Sequence, residues 1–224
     1  MEQHAEKTFY DIEGHPIRTP TKINLLRAAV ELFAQRGYSA ASVRDITKRV
    51  GIKESSLYKH FQSKDEMLET IFVNFRRDVE AILPPLESID RIVEAMSLRD
   101  FLERGWANYK AHIHGDPLHL HVWSIVYSEL FRHPMAKDIY MNGIVARTID
   151  RLALVFAGMA KRGKIAALDP RLLASEYQYP LFAVIMEYSV RLSDGESVDD
   201  LERQVAEHIR YFCETVRPKG ISLT

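Results

Sequence analysis

Along most of this chain, apolar positions recur every three or four residues, the period of an α-helix with one buried face. Ile23, Leu26, Val30 and Phe33 fall at spacings of three, four and three. They follow Thr19-Pro20, a capping residue and then the residue best suited to a first helical turn, and they end at Gly37. Val43, Ile46 and Val50 make a second, shorter face. Ser42 precedes it with Asp45 three residues on, a capping-box pattern, and Gly51 can end the helix in a left-handed conformation. A third short helix opens near Lys53 or Glu54, with Leu57 and Phe61 as its inward pair. Ser63-Lys64-Asp65-Glu66 caps a fourth, whose stripe of Met67, Leu68, Ile71, Phe72 and Phe75 runs to about Leu83, where Pro84-Pro85 stops it.

The later pattern is helical as well. Helices are expected over 97–113, over 118–132 (apolar on all sides), and over 135–162, ending in Lys161-Arg162-Gly163-Lys164. Asp169-Pro170 opens another that runs to about Leu192 and should kink at Pro180. The last begins at Ser197 or Val198 and ends before Pro218. No strand alternation and no internal repeat is present, so the fold class is all-α. Residues 1–18 are polar and unpatterned, with Gly14 and Pro16, and read as a flexible N-terminal arm.

Charge changes this picture more than composition does. The 224 residues, 46% hydrophobic, suffice for one large domain or two small ones. The net charge of −1 argues against a general polyanion binder, but the charge is unevenly placed. Residues 1–20 carry −2, residues 21–64 carry nine basic and three acidic groups for +6, and the remainder carries −5. The positive segment holds the two short helices, as contact with DNA phosphates requires. Cys213 is the single cysteine, which excludes an intrachain disulfide and fits a reducing cytoplasm. The longest apolar run, 152–160, is far below the ~20 residues of a spanning helix, and no secretory pattern opens the chain. The expected location is cytoplasmic, with no membrane partner.

The third helix leaves Lys53, Glu54, Ser55, Ser56, Tyr58, Lys59 and His60 outward. Polar side chains that are short at the helix start suit a helix lying in the major groove of DNA, whose base edges present donors and acceptors. An ordinary helical hairpin with a solvated face shows the same pattern. The wider run is more specific. Leu32-Phe33-Ala34-Gln35-Arg36-Gly37-Tyr38, then Ser42-Val43-Arg44-Asp45-Ile46, Gly51-Ile52, Leu57-Tyr58-Lys59-His60-Phe61 and Ser63-Lys64 resembles, at its spacing, the DNA-binding domain of the TetR/AcrR family. The resemblance covers residues 19–79.

The resemblance implies about nine helices: an N-terminal three-helix helix-turn-helix domain at 19–79 (motif 42–61) and a larger C-terminal effector-binding and dimerisation domain at 80–217. It implies a regulator, expected to be a repressor, that binds a pseudo-palindromic double-stranded operator as a homodimer and is released by a small molecule. By match to the motif, Ser42, Arg44, Tyr58, His60 and Lys64 should meet phosphates, while Lys53, Glu54, Ser55, Ser56 and Lys59 approach bases or nearby phosphates. The helices that enclose the family's ligand cavity supply Trp106, Tyr109, His112, Trp123, Tyr127 and Phe131 as pocket candidates, which suits an apolar or aromatic effector; plain core packing would use the same residues. Leu181, Phe182, Ile185, Tyr188, Leu201, Val205, Ile209 and Phe212, on the last two helices, are the expected dimer surface.

Other chemistries find less support. His112, His114, His119 and His121 fall within ten residues. Residues two apart on a helix do not share a face, however, and Gly115-Asp116-Pro117 bends the chain between them. They read as pocket or surface groups, with no metal and no cofactor expected. The chain has no Gly-rich phosphate loop, no G-x-S-x-G and no H-E-x-x-H, so an enzyme is not expected. A helical binding or scaffold protein without DNA affinity is the rival, and an all-helical enzyme a more distant one.

Overall fold

A computed structural model describes residues 8–116 and 118–218. Every regular element among them is helical, apart from one isolated bridge between Tyr10 and Pro16. The chain divides into two compact units. Of the described residues, one unit comprises those up to Val79 together with those within Asp116–Met141; the other comprises Glu80–Gly115 and those from Asn142 onward.

The first unit holds α1 (Pro20–Arg36), α2 (Val43–Val50), α3 (Glu54–Leu57), most of α4 (Lys64–Ile82), α7 (His119–Glu129) and α8 (Pro134–Asp138). Its core is the expected apolar face: Leu26, Phe33, Ile46, Leu57, Phe61, Met67, Phe72 and Phe75 are all buried. Each such side chain contributes roughly 1.5–3 kcal/mol over its exposed state. α1 packs on α2 and on α7. Phe75 meets the Trp123 ring edge-on at 5.0 Å, and Phe72 meets His133 at 5.6 Å. These aromatic contacts explain why Asp116–Met141, which the 80–217 boundary assigns to the C-terminal domain, joins the N-terminal unit instead.

Residues 8–18 are not a flexible arm. Phe9 and Ile17 are buried, the Ile17 N–H donates to the Phe9 carbonyl at 2.7 Å, and the Asp11 N–H donates to His15 at 2.9 Å. The polar residues that suggested disorder form the exposed turn between these two anchors. Residues 1–7 lie outside the described part.

The second unit holds α5 (Ile89–Ala95), α6 (Leu98–Gly115), α9 (Arg147–Lys161), α10 (Pro170–Ser193) and α11 (Asp199–Thr215). An unexpected π-helical stretch, Ile139–Ala146, connects α8 to α9. The short α5 is also unexpected; its seven residues carry too few turns for a periodic signal. α10 packs on α9 and α11, and α11 on α6. The rings of Phe156, Tyr177 and Phe212 meet at the centre. α10 is continuous through Pro180. Beside that proline, His208 Nε2 donates to the Tyr177 carbonyl at 2.8 Å.

The packing corrects the dimer surface. Leu181, Tyr188, Leu201, Val205, Ile209 and Phe212 are buried in their own chain, and Phe182 and Ile185 are half-buried. The six buried residues are part of the intrachain face of α10 and α11. The exposed apolar side chains are Leu172, Tyr179, Met186 and Val190 on α10 and Tyr211 on α11.

Candidate nucleic-acid interface

The helix-turn-helix is built by caps. The Ser42 side chain accepts the Asp45 N–H at 3.1 Å while the Asp45 carboxylate accepts the Ser42 N–H at 3.1 Å, so the expected capping box is closed in both directions. The Ser42 hydroxyl and N–H, with Arg36 nearby, hold the Asp45 carboxyl below its ordinary range. α2 ends at Gly51 in the left-handed region (φ 78°). The Gly51 N–H donates to Lys48 O and the Ile52 N–H to Thr47 O, two bonds that satisfy the last carbonyls of the helix. Chain direction reverses here, and α3 begins three residues later.

α3 is shorter than expected. One α-turn, Glu54–Leu57, passes into tighter turns in which Lys59 N–H donates to Ser56 and His60 N–H to Leu57. Leu57 and Phe61 anchor it, both buried, with Lys22 Nζ 4.7 Å from the centre of the Phe61 ring. Ser42, Arg44, Lys53, Glu54, Ser55, Tyr58 and Lys59 are exposed, while Ser56 and His60 are half-buried. Tyr58 is 59% exposed, unusual for so large a ring, and nothing in this unit uses it.

Lys64 sits differently from a plain phosphate contact. Its Nζ donates to the carbonyls of Tyr38 at 2.8 Å and Ala41 at 2.9 Å and lies 4.2 Å from the centre of the Tyr38 ring. The Tyr38 hydroxyl bonds to Asp65 in turn. The loop that leads into Ser42 is therefore braced from the first turn of α4. Ser63 caps that helix by accepting the Glu66 N–H at 3.0 Å; Glu66 reaches back to the Gln62 N–H, one residue before the expected partner. Two further cations of the basic segment are paired with acids, Arg49 with Glu31 and Arg36 with Asp45. Thr19, expected to cap α1, makes no cap bond through its side chain.

The aromatic candidates lie in both units. In the second, Trp106 stacks on Tyr109 at 5.3 Å and meets Tyr188 edge-on at 5.4 Å; its indole N–H is buried without an acceptor. In the first, Trp123 stacks on Tyr127 at 5.4 Å, and Tyr127 tilts against Tyr140 at 5.7 Å. Phe131 is 96% exposed at the end of α7 and lines no interior, because the helix stops at Glu129 and releases it to solvent. His119 is buried and accepts the Trp123 indole N–H at 2.7 Å, His114 lies 3.5 Å from the Tyr188 hydroxyl, and His112 and His121 are half-buried. Asp11, Glu13 and His15 bring one ligand atom each within 4.8 Å on the exposed N-terminal turn, where Asp11 already accepts two backbone N–H groups. No helix among the described residues is long and apolar enough to cross a membrane.

Comparison with known proteins meets this geometry at the same residues. Residues 25–71 match the family model of bacterial regulatory proteins, tetR family. The HTH-type transcriptional repressor KstR2 of Mycobacterium tuberculosis (strain H37Rv) is 39% identical over 79 residues, which cover 32% of this chain and 40% of KstR2. The HTH-type transcriptional regulator UidR of Escherichia coli K12 is 33% identical over 81 residues, covering 34% and 41%. The chain thus matches about two fifths of the length of these relatives. Among solved structures, a TetR-family regulator from Mesorhizobium loti superposes with a TM-score of 0.63 at 20% identity over 88% of this chain and 98% of that one. The fatty acid degradation regulator FadR of Bacillus halodurans gives 0.61 at 19% identity over 93% and 100%. The segment matched by the family model is the capped helix-turn-helix with parts of the helices that brace it, and the fold is shared with the Mesorhizobium loti regulator over 88% of the chain.

Proposed function

We propose that this protein is a DNA-binding transcriptional repressor that acts as a homodimer on a two-fold operator and is released by a small molecule. The observation that carries the reading is the outward face of α3, where Lys53, Glu54, Ser55, Tyr58 and Lys59 are exposed on a turn fixed by the Ser42–Asp45 box and by Gly51. Such a face offers cations to phosphates and short polar groups to base edges. Glu54 would find its natural partner in a cytosine N4 amine, since a phosphate repels it. The relatives matched over this unit include KstR2, named a transcriptional repressor.

Two-fold pairing is supported by the exposed stripe of α10. Tyr179, Ala183, Met186 and Val190 recur at spacings of four, three and four on its outer face. A contiguous apolar surface of this kind is what a second copy covers. An apolar or aromatic effector is supported by the ring clusters and by the buried Trp106 N–H, a donor that a ligand can use. Among the structural neighbours, FrrA is described as flavonoid-responsive and SmeT was solved with triclosan. Release requires only that the effector bind the non-DNA conformation more tightly, by ~1–3 kcal/mol for a typical coupling.

The test is a mobility shift on the DNA upstream of the chain's own gene at two salt concentrations. A retarded complex that weakens steeply with salt is expected. Replacing Tyr58 and Lys59 by alanine should weaken binding to every duplex, whereas Ser55→Ala should alter sequence preference. Binding that ignores all three changes would remove the interface from α3.

A further inference from the structure

Residues 8–18 are received by a purpose-built place on α4. Asn74, 5% exposed, accepts the Tyr10 N–H at Oδ1 (2.8 Å) and donates from Nδ2 to the Tyr10 carbonyl (2.7 Å) and to Thr70 O (2.7 Å). One side-chain amide thereby reads both backbone groups of a single residue, as a neighbouring strand would. The Arg77 guanidinium lies 3.8 Å from the centre of the Tyr10 ring. Phe9 closes a cavity of about 20 Å³ among Leu26, Val30, Ile71, Phe75 and Val122, room for about one water molecule. Without this segment Asn74 would keep its bond to Thr70 O but lose both Tyr10 partners, and the apolar surface under Phe9 would be bared to water. The turn between its two apolar anchors is exposed, and the segment is held by Phe9, Ile17 and the paired bonds to Asn74, a small set of contacts of the kind that opens locally.

α4 holds two parts of the unit at once. At its first turn Lys64 braces the loop before Ser42; ten residues later Asn74 holds the N-terminal segment. Ten helical residues span about 15 Å as a rigid rod. We propose that residues 8–18 form a releasable strap whose docking on Asn74 fixes α4, and through Lys64 the helix-turn-helix, in a preorganised state for DNA. Release leaves α4 to be ordered at the moment of binding, and affinity falls by that cost. The DNA part of this inference rests on the function proposed above; the ordering of α4 does not.

The full chain and Phe9→Asp are compared, with Glu13→Ala in the exposed turn as control. Hydrogen exchange is read at the Asp11 and Ile17 amides and along α4. Affinity is read on a duplex enriched from a random pool by the native chain. Release should speed exchange at both strap amides and around Asn74, and weaken binding about fivefold or more, with helix content retained and Glu13→Ala silent. Fast strap exchange with α4 exchange and affinity within twofold of native overturns the proposal. Should Phe9→Asp not fold, Asn74→Leu in a chain shortened to start at Thr19 relieves the amide of its need for a partner. The same loss is expected there, and native affinity overturns the proposal. If the native chain enriches no duplex, it is the DNA reading that fails, and α4 exchange alone then decides whether the strap orders the helix.

Discussion

α3 and α10 turn opposite kinds of surface to solvent. The outer side of α3 is polar and charged apart from the Tyr58 ring, so its energetics ask little for a partner. The outer side of α10 carries Tyr179, Met186 and Val190 at 57%, 46% and 54% exposure, and water is a poor neighbour for all three. A partner for α10 is argued from the free energy of the surface. A partner for α3 is argued from spacing: capping box, left-handed glycine and buried anchors at fixed intervals present one particular set of side chains. Exposure alone distinguishes neither face from ordinary surface unless the chemistry of what is exposed is considered.

The comparison breaks most visibly on the inward side of the last helix. Ile209 is 2% exposed in its own chain, so Ile209→Ala should cost about 2–5 kcal/mol through lost burial and a cavity. It should appear as a lowered melting temperature, with the mass of the folded fraction unchanged. A change of mass without loss of stability would mean that Ile209 faces a partner and that the assignment of faces is reversed. Next in size, Met186→Glu combined with Val190→Glu should weaken self-association at least tenfold, about 1.4 kcal/mol, in sedimentation velocity, while helix content stays native. If the doubly charged α10 still sediments with the native mass, the stripe is not the interface.

The two helices were also unequally legible in sequence. Ser42, Asp45, Gly51, Leu57 and Phe61 each do a different local job, and those jobs are specific to residue type, so elements and outward face could both be read. α10 carries apolar residues on two faces: Leu181, Val184 and Tyr188 are buried while Tyr179, Met186 and Val190 are not, and since both sets repeat at helical spacing, the period does not say which lies inside. Only the packing of α9 and α11 decides which side is spent inside the chain. Residues 8–18 were missed for a related reason. Their anchors, Phe9 and Ile17, stand eight residues apart around a polar turn, and the group that holds them, Asn74, sits within a helix as an apparently misplaced polar residue. A buried asparagine in an apolar stripe is the one signal that could have pointed to them. The bonds from Lys64 to the carbonyls of Tyr38 and Ala41 are not legible either, because those partners are far off in sequence and carry no side-chain signature.

Smaller effects sharpen the contrast. Ser42→Ala should cost about 1 kcal/mol by opening the box that starts α2. It should weaken DNA binding along with stability, whereas Lys59→Ala should weaken binding and leave stability unchanged. The smallest expected effect concerns Glu80, on neither face. Burial by itself would push its carboxyl up; the bond from Arg147 and the charges of Arg147 and Arg151 outweigh this and hold it below its ordinary value of 4.5. A carboxyl depressed on folding contributes stability above its unfolded value, and that stability is lost as pH falls through the folded one. The Glu80 side chain is 40% exposed, so solvent screens the pairs and the contribution is about 1 kcal/mol or less. Glu80→Gln should therefore lower the melting temperature slightly at pH 7, match the native chain once the pH has fallen through the folded value, and leave the sedimenting mass unchanged at both. A variant that lost self-association instead would tie this ion pair to the interface and place part of the partner surface away from the α10 stripe.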